Sequence, residues 1–466
     1  MNPLLRSYSS LFLYLSFPFS VTLEGAKEGI ANYLSLDWNV LVDRPEVWVK
    51  AVSQVFFSLS ITFGIMTAYG SHCHRDEPAF KNATVIAVSD SLFSFTSGFA
   101  VFAMLGNLAL MEGLEIKDLE YSGFGLVFGS FPVALGCVPG GAHWVRAFFV
   151  LLFTLGLDSA YSFMDGFLIC LSDTVFLGHV DKKYTALGLT VVAWLLSLIY
   201  ATDAGLLFLD TVDYYINFVM LLVGGAECFS AGWIYNIEEQ VDNLGASIVF
   251  SYMATTFGSV FLACIIWFSI NDNSTALWAG FLGLVLCYTA GMIFVVCLMK
   301  KKKQEEGLWT WRSMFYDLMF RNMMDLRDDL SGVVGFMPVA WAVLVKYFIP
   351  PVMIILFALG ASTKNSTGQT QFGHYSGYPF APYQILGISG VVFAGFLFFS
   401  SLIMPQLYSA FQKNDSPVPS KDATISAAPK QVGVENYGIT SFSLNSSADA
   451  NVWPPRSISA YHPRTA

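Results

Sequence analysis

The stretch from Ala276 to Met299, ALWAGFLGLVLCYTAGMIFVVCLM, carries no charge and runs straight into Lys300, Lys301, Lys302 and Lys303. As an α-helix it would be about 36 Å long at 1.5 Å per residue, enough to cross a hydrocarbon layer of about 30 Å. Working outward, further apolar runs near that length fall at approximately 48–70, 87–108, 147–172, 185–201, 212–236, 248–270, 337–361 and 383–411. About nine transmembrane helices are therefore expected in an all-α, multi-pass membrane protein. Composition agrees: 55% of the 466 residues are apolar and 12% are charged, about half the share in a soluble chain, and the mean hydropathy is +0.56. With 24 basic against 34 acidic side chains, no basic face exists to neutralise phosphates, which excludes nucleic-acid binding as a main role. Seven cysteines, most of them inside apolar runs, form neither a disulfide framework nor a zinc cluster.

Lys and Arg in short loops mark the cytoplasmic side. The 300–336 segment, with the lysine run, Arg312, Arg321 and Arg327, is the basic cytoplasmic loop, and Lys182, Lys183, Arg75 and Lys81 place alternate loops on the same side. Loops holding Glu112, Glu115, Asp118, Glu120, Asp203 and Asp210 then fall outside, as do the glycosylation triplets at Asn273 and Asn365; those at Asn82 and Asn445 fall inside. Four regions result. Residues 1–47 are an N-terminal segment, its LFLYLSFPFSV stretch a signal-like core or a severed span, followed by an extracellular loop. Residues 48–236 hold five spans, and 237–411 hold four more around the basic loop. Residues 412–466, rich in Ser, Pro, Ala and Asn, read as a disordered cytoplasmic tail. The 308–330 segment mixes aromatics, Met and charge, and suits either an interfacial helix or a plain loop.

Ionisable groups inside a span need a partner or an ion. Gln54 and Ser58 lie four apart, as do Asp90 and Ser94, and so share helix faces; Asp158, Ser159, Asp165, Asp213 and Glu227 add carboxylates and a hydroxyl to other spans. Ser and Thr in such positions commonly serve helix packing. For Asp90, Asp158 and Asp165, metal cations or protonation explain burial better than salt bridges, because the spans offer almost no Lys or Arg. Hard oxygen ligands suit an alkali cation. Polar residues beside large aromatics in FFSLSITFG, 56–64, suit a broken helix whose freed carbonyls line a cavity. No constellation of nucleophile, base and oxyanion donors or phosphate loop marks an enzyme. On these grounds the chain is an ion-coupled carrier or a channel.

Several longer motifs resemble the neurotransmitter:sodium symporter family, also called solute carrier family 6. They are VTLEGAKEGIANYL at 21–34, VWVKAVSQVFFSLSITFG at 47–64, SFTSGFAVFAMLG at 94–106, TLGLDS at 154–159, FLDTVDYY at 208–215 and GWIYNI at 232–237. PVAWAVLVKYFIPP at 338–351 and GYPFAPYQILG at 377–387 resume the match. The resemblance implies a fold of two inverted five-helix repeats, of which this chain carries the second (helices six to ten) with helices eleven and twelve. It also implies that two extra spans are inserted at 248–299, and that the chain is an incomplete gene product or gene model whose residues 1–20 are not the family's own. It implies sodium at Ser58 and Asp90, and at Leu155, Asp158 and Ser159. A chloride-like site would comprise Gln54, Ser58 and Ser94, and a substrate pocket Phe57, Ser60, Phe63, Ser159 and Phe163. Asp213 and Asp173 would be the acidic halves of the outer and inner gates. Asp90 stands where chloride-dependent members have Asn, which leaves chloride dependence open, and His72 takes the position of an inner-gate Tyr. The implied function is sodium-coupled symport of amino acids or related small amines across the plasma membrane. The alternative is a transport-inactive membrane binding or regulatory protein that keeps only the second repeat. The sequence leaves the substrate, ion stoichiometry and oligomeric state open.

Overall fold

Hydrocarbon gives peptide groups nothing to hydrogen-bond with, so a spanning segment must satisfy its own backbone. In the computed structural model the regular structure is accordingly helical. The structure describes residues 21–36, 38–44, 46–74, 77–116, 125–136, 140–270, 273–306, 310–364, 368–404 and 406–408. Five elements precede or flank the early spans: α1 (Ala26–Leu34), α2 (Trp38–Asp43), α3 (Glu46–Ser58), α4 (Ile65–His72) and α5 (Ala79–Glu112). There follow α6 (Phe131–Gly136), α7 (Gly141–Ser172), α8 (Lys182–Ala201) and α9 (Gly205–Ile234). Beyond them lie α10 (Ile237–Leu244), α11 (Ala246–Ser269), α12 (Asn273–Glu306), α13 (Trp311–Met319) and α14 (Arg321–Val334). The last two are α15 (Val339–Ser362) and α16 (Phe380–Ile403).

Among the described residues eight helices are long and apolar enough to cross a membrane: α5, α7, α8, α9, α11, α12, α15 and α16. They correspond to eight of the nine expected spans, several of them longer by a turn or two. The ninth, at 48–70, is a correction to a continuous span. It is the broken pair α3 and α4, in keeping with the polar residues of FFSLSITFG. The signal-like stretch, Asn365 and the 412–466 tail lie outside the described residues.

Two packing units organise the bundle around the break. In the first, α3 lies against α9 and α15 through Phe56, Met220, Leu221, Met353 and Leu356, all buried. The second joins α9, α10, α11 and α12 to the amphipathic α13. Met314 and Leu318 are fully buried there, with Trp233, Tyr252 and Met299. From residue 310 to 330 the segment is thus a pair of helices, not a plain loop, and Met314, Leu318 and Met323 are covered by protein. Its polar side is clamped as well: Arg321 pairs with Glu239 and with Asp317 and Asp325, at 3.4 and 3.8 Å for the last two. Asn236 donates to Asp325 (2.9 Å) and Tyr235 to Asp329 (2.6 Å). That last bond pushes the Tyr235 hydroxyl's pKa up to about 12.

Where α9 crosses α15, both helices widen into a π-type turn, at Ser230–Ile234 and Leu344–Phe348. A methyl group on Gly232 would stand 2.8 Å from the Lys346 Cα, and the Trp233 indole donates to the Lys346 carbonyl (2.8 Å). The Lys346 side chain, 1% exposed, lays its ammonium over the rings of Trp233 and Tyr347 at 5.0 and 5.7 Å. Aromatic faces attract a cation electrostatically, more so where water is excluded.

Close packing at α1 has a simpler cause. Backbone meets backbone there, and a Cβ built on Gly29 would collide with the Phe102 carbonyl, one on Gly106 with the Gly25 carbonyl. Gly106→Ile is therefore expected to lower stability by roughly 1–3 kcal/mol, the usual cost of overpacking. A thermal melt of the detergent-solubilised protein measures it, and an unchanged midpoint would show that α1 does not hold α5.

Candidate functional site

Around the break, Ser60 and Thr62 adopt left-handed conformations (φ 52° and 70°), and Gly64 a third (φ 76°). These positions cost non-glycine residues energy and persist where surrounding structure enforces them. The helical ladder resumes only when the Ala68 N–H reaches the Gly64 carbonyl at 3.0 Å. The N–H groups of Leu59, Ser60 and Ile61 still reach the carbonyls of Val55, Phe57 and Phe56 (3.1, 3.1 and 3.0 Å), whereas among the described residues the carbonyls of Leu59 to Phe63 accept no backbone bond.

The two arms are held by different neighbours. Phe56, at the end of α3, packs over Gly224 of α9, where an added Cβ would stand 2.7 Å from its ring. Just before the break, the Ser58 hydroxyl donates to the Asp90 carboxylate of α5, its oxygen 2.8 and 2.7 Å from the two carboxylate oxygens. Beyond it, Phe63 meets Phe163 of α7 edge to face (5.5 Å) and Phe57 at 5.7 Å. Tyr69 and Ser162 share a hydrogen bond of 2.5 Å, and His72 sits 3.5 Å from Asp165. The imidazole is a charged partner only when protonated, so this pair still calls for a proton at Asp165, as expected. Sequence alone puts His72 in a loop, whereas α4 continues to that residue and brings the ring alongside α7.

The structure thus brings Ser58 to Asp90, and Phe57, Phe63 and Phe163 into one aromatic group beside Ser60. Leu155, Asp158 and Ser159 occupy successive turns on one side of α7, Asp158 half-buried and its neighbours exposed. Ser94 is exposed, one turn from Asp90 on α5, while Gln54 lines a separate cavity. Asp173 closes the end of α7, where its N–H reaches the Ile169 carbonyl (3.2 Å).

That cavity, of about 820 Å³, lies between α3, α9 and the chain following α15. Glu46, Lys50 and Gln54 line it from α3, at i,i+4 spacing, and Asp213 and Asn217 from α9. Lys364 adds a second ammonium. The hydroxyls of Ser53 and Tyr214, both lining residues, are buried with no hydrogen-bond partner among the described residues. Buried polar groups ordinarily have partners, so these two are available to something that enters. Opposite-sign charges on facing walls would suit a small dipolar solute.

A loop closes the same end. Tyr375 stacks on Tyr214 (4.0 Å between ring centres), and its hydroxyl donates to Asp210 (3.2 Å), as does that of Tyr378 (2.9 Å). Burial, and then the Asp210 charge, push the Tyr375 hydroxyl's pKa up. Sequence reading misses Lys50, Ser53, Tyr214, Tyr375 and Lys364. The Glu46, Lys50, Gln54 spacing is an available signal for the first, but the loop residues meet α9 only through the fold.

A family model described as the sodium:neurotransmitter symporter family matches residues 6–279. The chain is 33% identical over 233 residues to the bovine (Bos taurus) sodium- and chloride-dependent creatine transporter 1, covering 49% of this chain and 36% of that protein. It is 32% identical over 248 residues to the Bos taurus sodium- and chloride-dependent taurine transporter, covering 50% and 40%. A third relative, the creatine transporter of Torpedo marmorata, is 31% identical over 243 residues, covering 51% and 40%. The chain thus spans two-fifths or less of the curated relatives it matches. The family match begins inside the 1–20 stretch expected to be foreign, and runs through α11, expected to be an extra span. Apolar runs carry few distinctive motifs, so reading by motif could not see either portion.

Asp210→Ala would leave the hydroxyls of Tyr375 and Tyr378 short of an acceptor, at a cost of roughly 1–3 kcal/mol. Faster proteolytic cutting within residues 364–379 is the expected readout, and an unchanged rate would mean that Asp210 does not fasten the loop.

Proposed function

The chain belongs to the sodium:neurotransmitter symporter family, and on that footing we propose that it carries out sodium-coupled symport of a small amino acid or related amine. The observation that carries this reading is the broken helix, whose carbonyls at Leu59–Phe63 accept no backbone bond and adjoin the Ser58–Asp90 hydrogen bond. Carboxylate, hydroxyl and carbonyl oxygens form the hard donor set that an alkali cation prefers. Ser58 and Asp90 are proposed as ligands for one sodium ion, and the Leu155 carbonyl, Asp158 and Ser159 for another. Phe57, Ser60, Phe63, Ser159 and Phe163 are proposed to bound the substrate.

The 820 Å³ cavity is proposed as the entrance, with Asp213 as its acidic gate residue and Asp173 as that of the opposite end. Its mixed charges, Lys50 and Lys364 against Glu46 and Asp213, favour a zwitterion over a simple cation or anion, a class to which creatine and taurine belong. Chloride is proposed to be dispensable. Asp90 supplies a fixed negative charge one turn from Ser94, where a halide would otherwise be held with Gln54 and Ser58. The Lys300–Lys303 end is proposed to face the cytoplasm of a plasma-membrane protein, with the C-terminal tail on that side. A second reading, a binding or regulatory protein that does not transport, draws support from how few residues of α5, α7 and α8 are buried.

Uptake of radiolabelled creatine, taurine and amino acids by cells expressing the full gene product is the test. Replacing sodium with choline should abolish uptake, whereas replacing chloride with gluconate should leave it. Asp158→Ala should remove most activity. Asp90→Asn should make transport chloride-dependent. Sodium-independent uptake would overturn the mechanism, and substrate binding without uptake would favour the second reading. For orientation, glycosidase treatment should lower the mass of the expressed protein, and Asn273→Gln with Asn365→Gln together should remove the shift.

A further inference from the structure

Three fastenings tie the α4 arm to α7, and they differ in what can undo them. Phe63 on Phe163 is an apolar contact (5.5 Å between ring centres), and Tyr69 with Ser162 a hydroxyl pair (2.5 Å). Neither involves an ionic group. The third does: His72 Nε2 lies 3.5 Å from Asp165 Oδ2. Tyr69 and His72 are about one turn apart on α4, as Ser162 and Asp165 are on α7, so a neutral pair and an ionic pair stand as successive rungs between the two helices.

The ionic rung is the one farther along α4 from the break. His72 is the final residue of that helix, and the chain turns away at Cys73, whose N–H reaches the Gly70 carbonyl (3.2 Å) and whose thiol donates to the Tyr69 carbonyl (3.4 Å). The side chains of His72 and Asp165 are 62% and 39% exposed, so a proton on the pair exchanges with the solution at that end. Histidine ordinarily changes charge between about pH 5 and pH 8. As an imidazolium, His72 meets both the carboxylate and the carbonyl end of its own helix, where positive charge is favoured. As a neutral ring it keeps no more than an ordinary hydrogen bond, and the carboxylate is left to solvent.

We propose that His72 and Asp165 form a proton-operated latch: the imidazolium holds the end of α4 against α7, and loss of its proton to water lets that end separate while the two neutral contacts persist. The latch is closed at low pH and opens as the pH rises through the titration of the histidine. Its surroundings leave the pair to itself. On α7, the helix packed against α4, Asp158 and Asp173 lie about two turns from Asp165 on either side. Of the helices flanking α7, α8 opens with Lys182, Lys183 and Tyr184, all exposed, and α6 has no ionisable side chain. Past His72, Cys73 faces Glu77, and His74 is exposed. Neither His72 nor Asp165 has another ion-pair partner among the described residues. For its role the latch rests on the symport reading, in which release of α4 is part of opening toward the cytoplasm; its chemistry does not.

Hydrogen exchange of the full gene product in detergent tests it, measured at about pH 6 and about pH 8, toward the two ends of the ordinary histidine range, and corrected for the intrinsic pH dependence of exchange. Peptides covering residues 65–74 should exchange roughly two- to fivefold more slowly at the lower pH, the range that an exposed ion pair supplies. His72→Arg, with its fixed charge, should exchange slowly at both, and His72→Gln and Asp165→Asn quickly at both. Equal corrected rates in the unsubstituted protein would overturn the latch, and this comparison stands whether or not the variants fold. A pH dependence that survives His72→Gln would overturn it too, assigning the proton to His74, Cys73 or Glu77. Uptake into proteoliposomes separates the latch from the symport reading. Exchange that follows pH without sodium-driven uptake would keep the latch and sink the symport reading, whereas sodium-driven uptake with pH-independent exchange would sink the latch alone.

Discussion

Everything near the break answers to one constraint: main-chain polar groups in hydrocarbon call for partners, and the helix leaves the carbonyls of Leu59 to Phe63 without backbone bonds. The surroundings hold that segment in place by side-chain contacts. Phe56 locks the first arm over Gly224, and Ser58 is held by Asp90. The second arm is fixed to α7 at three levels, by Phe163, Ser162 and Asp165. Left-handed backbone at Ser60 and Thr62 is tolerated because both flanks are anchored. The strained segment is therefore presented between two helices that hold it from opposite sides, an arrangement suited to gripping an ion with oxygen atoms while the arms stay independent.

The division of labour between the arms follows from residue chemistry. The α3 arm is fastened mainly by apolar packing against α9 and α15, which is insensitive to small changes in charge. On the α4 arm the fastenings are a ring contact, a hydroxyl pair and a histidine–carboxylate pair, each replaceable by water or by a different rotamer at modest cost. Of the two, the α4 arm is the easier to release. Asp90 also does something that a neutral residue could not. Its two carboxylate oxygens both lie within reach of the Ser58 hydroxyl.

Much of this is legible in the sequence because membrane helices announce themselves locally. An uncharged run ending in lysines needs no knowledge of the rest of the fold, and the four-residue spacing of Asp90 and Ser94 places both on one face. The break itself is legible in FFSLSITFG, where polar residues sit among aromatics that a lipid-facing helix would not mix. What escapes depends on contacts distant in sequence. Lys346 looks prohibitive in an apolar run until Trp233, more than a hundred residues earlier, offers its ring. The 308–330 segment is amphipathic either way, and only the covering residues Trp233, Tyr252 and Met299 decide that its apolar face meets protein. The cavity walls escape for the same reason, since Tyr214 and Tyr375 meet only when the loop after α15 folds back.

The crossing of α9 and α15 has one more implication. Trp233 and Lys346 touch, so the chain between them leaves one point of the bundle and returns to it. Its departure and arrival are stapled by an indole hydrogen bond and a glycine contact. A stretch with coincident ends resembles a domain inserted at a surface loop, except that its helices also cover Trp233 through Tyr252, Met299 and Leu318. The contacts that hold the break, on α5, α7 and α9, all lie outside this stretch.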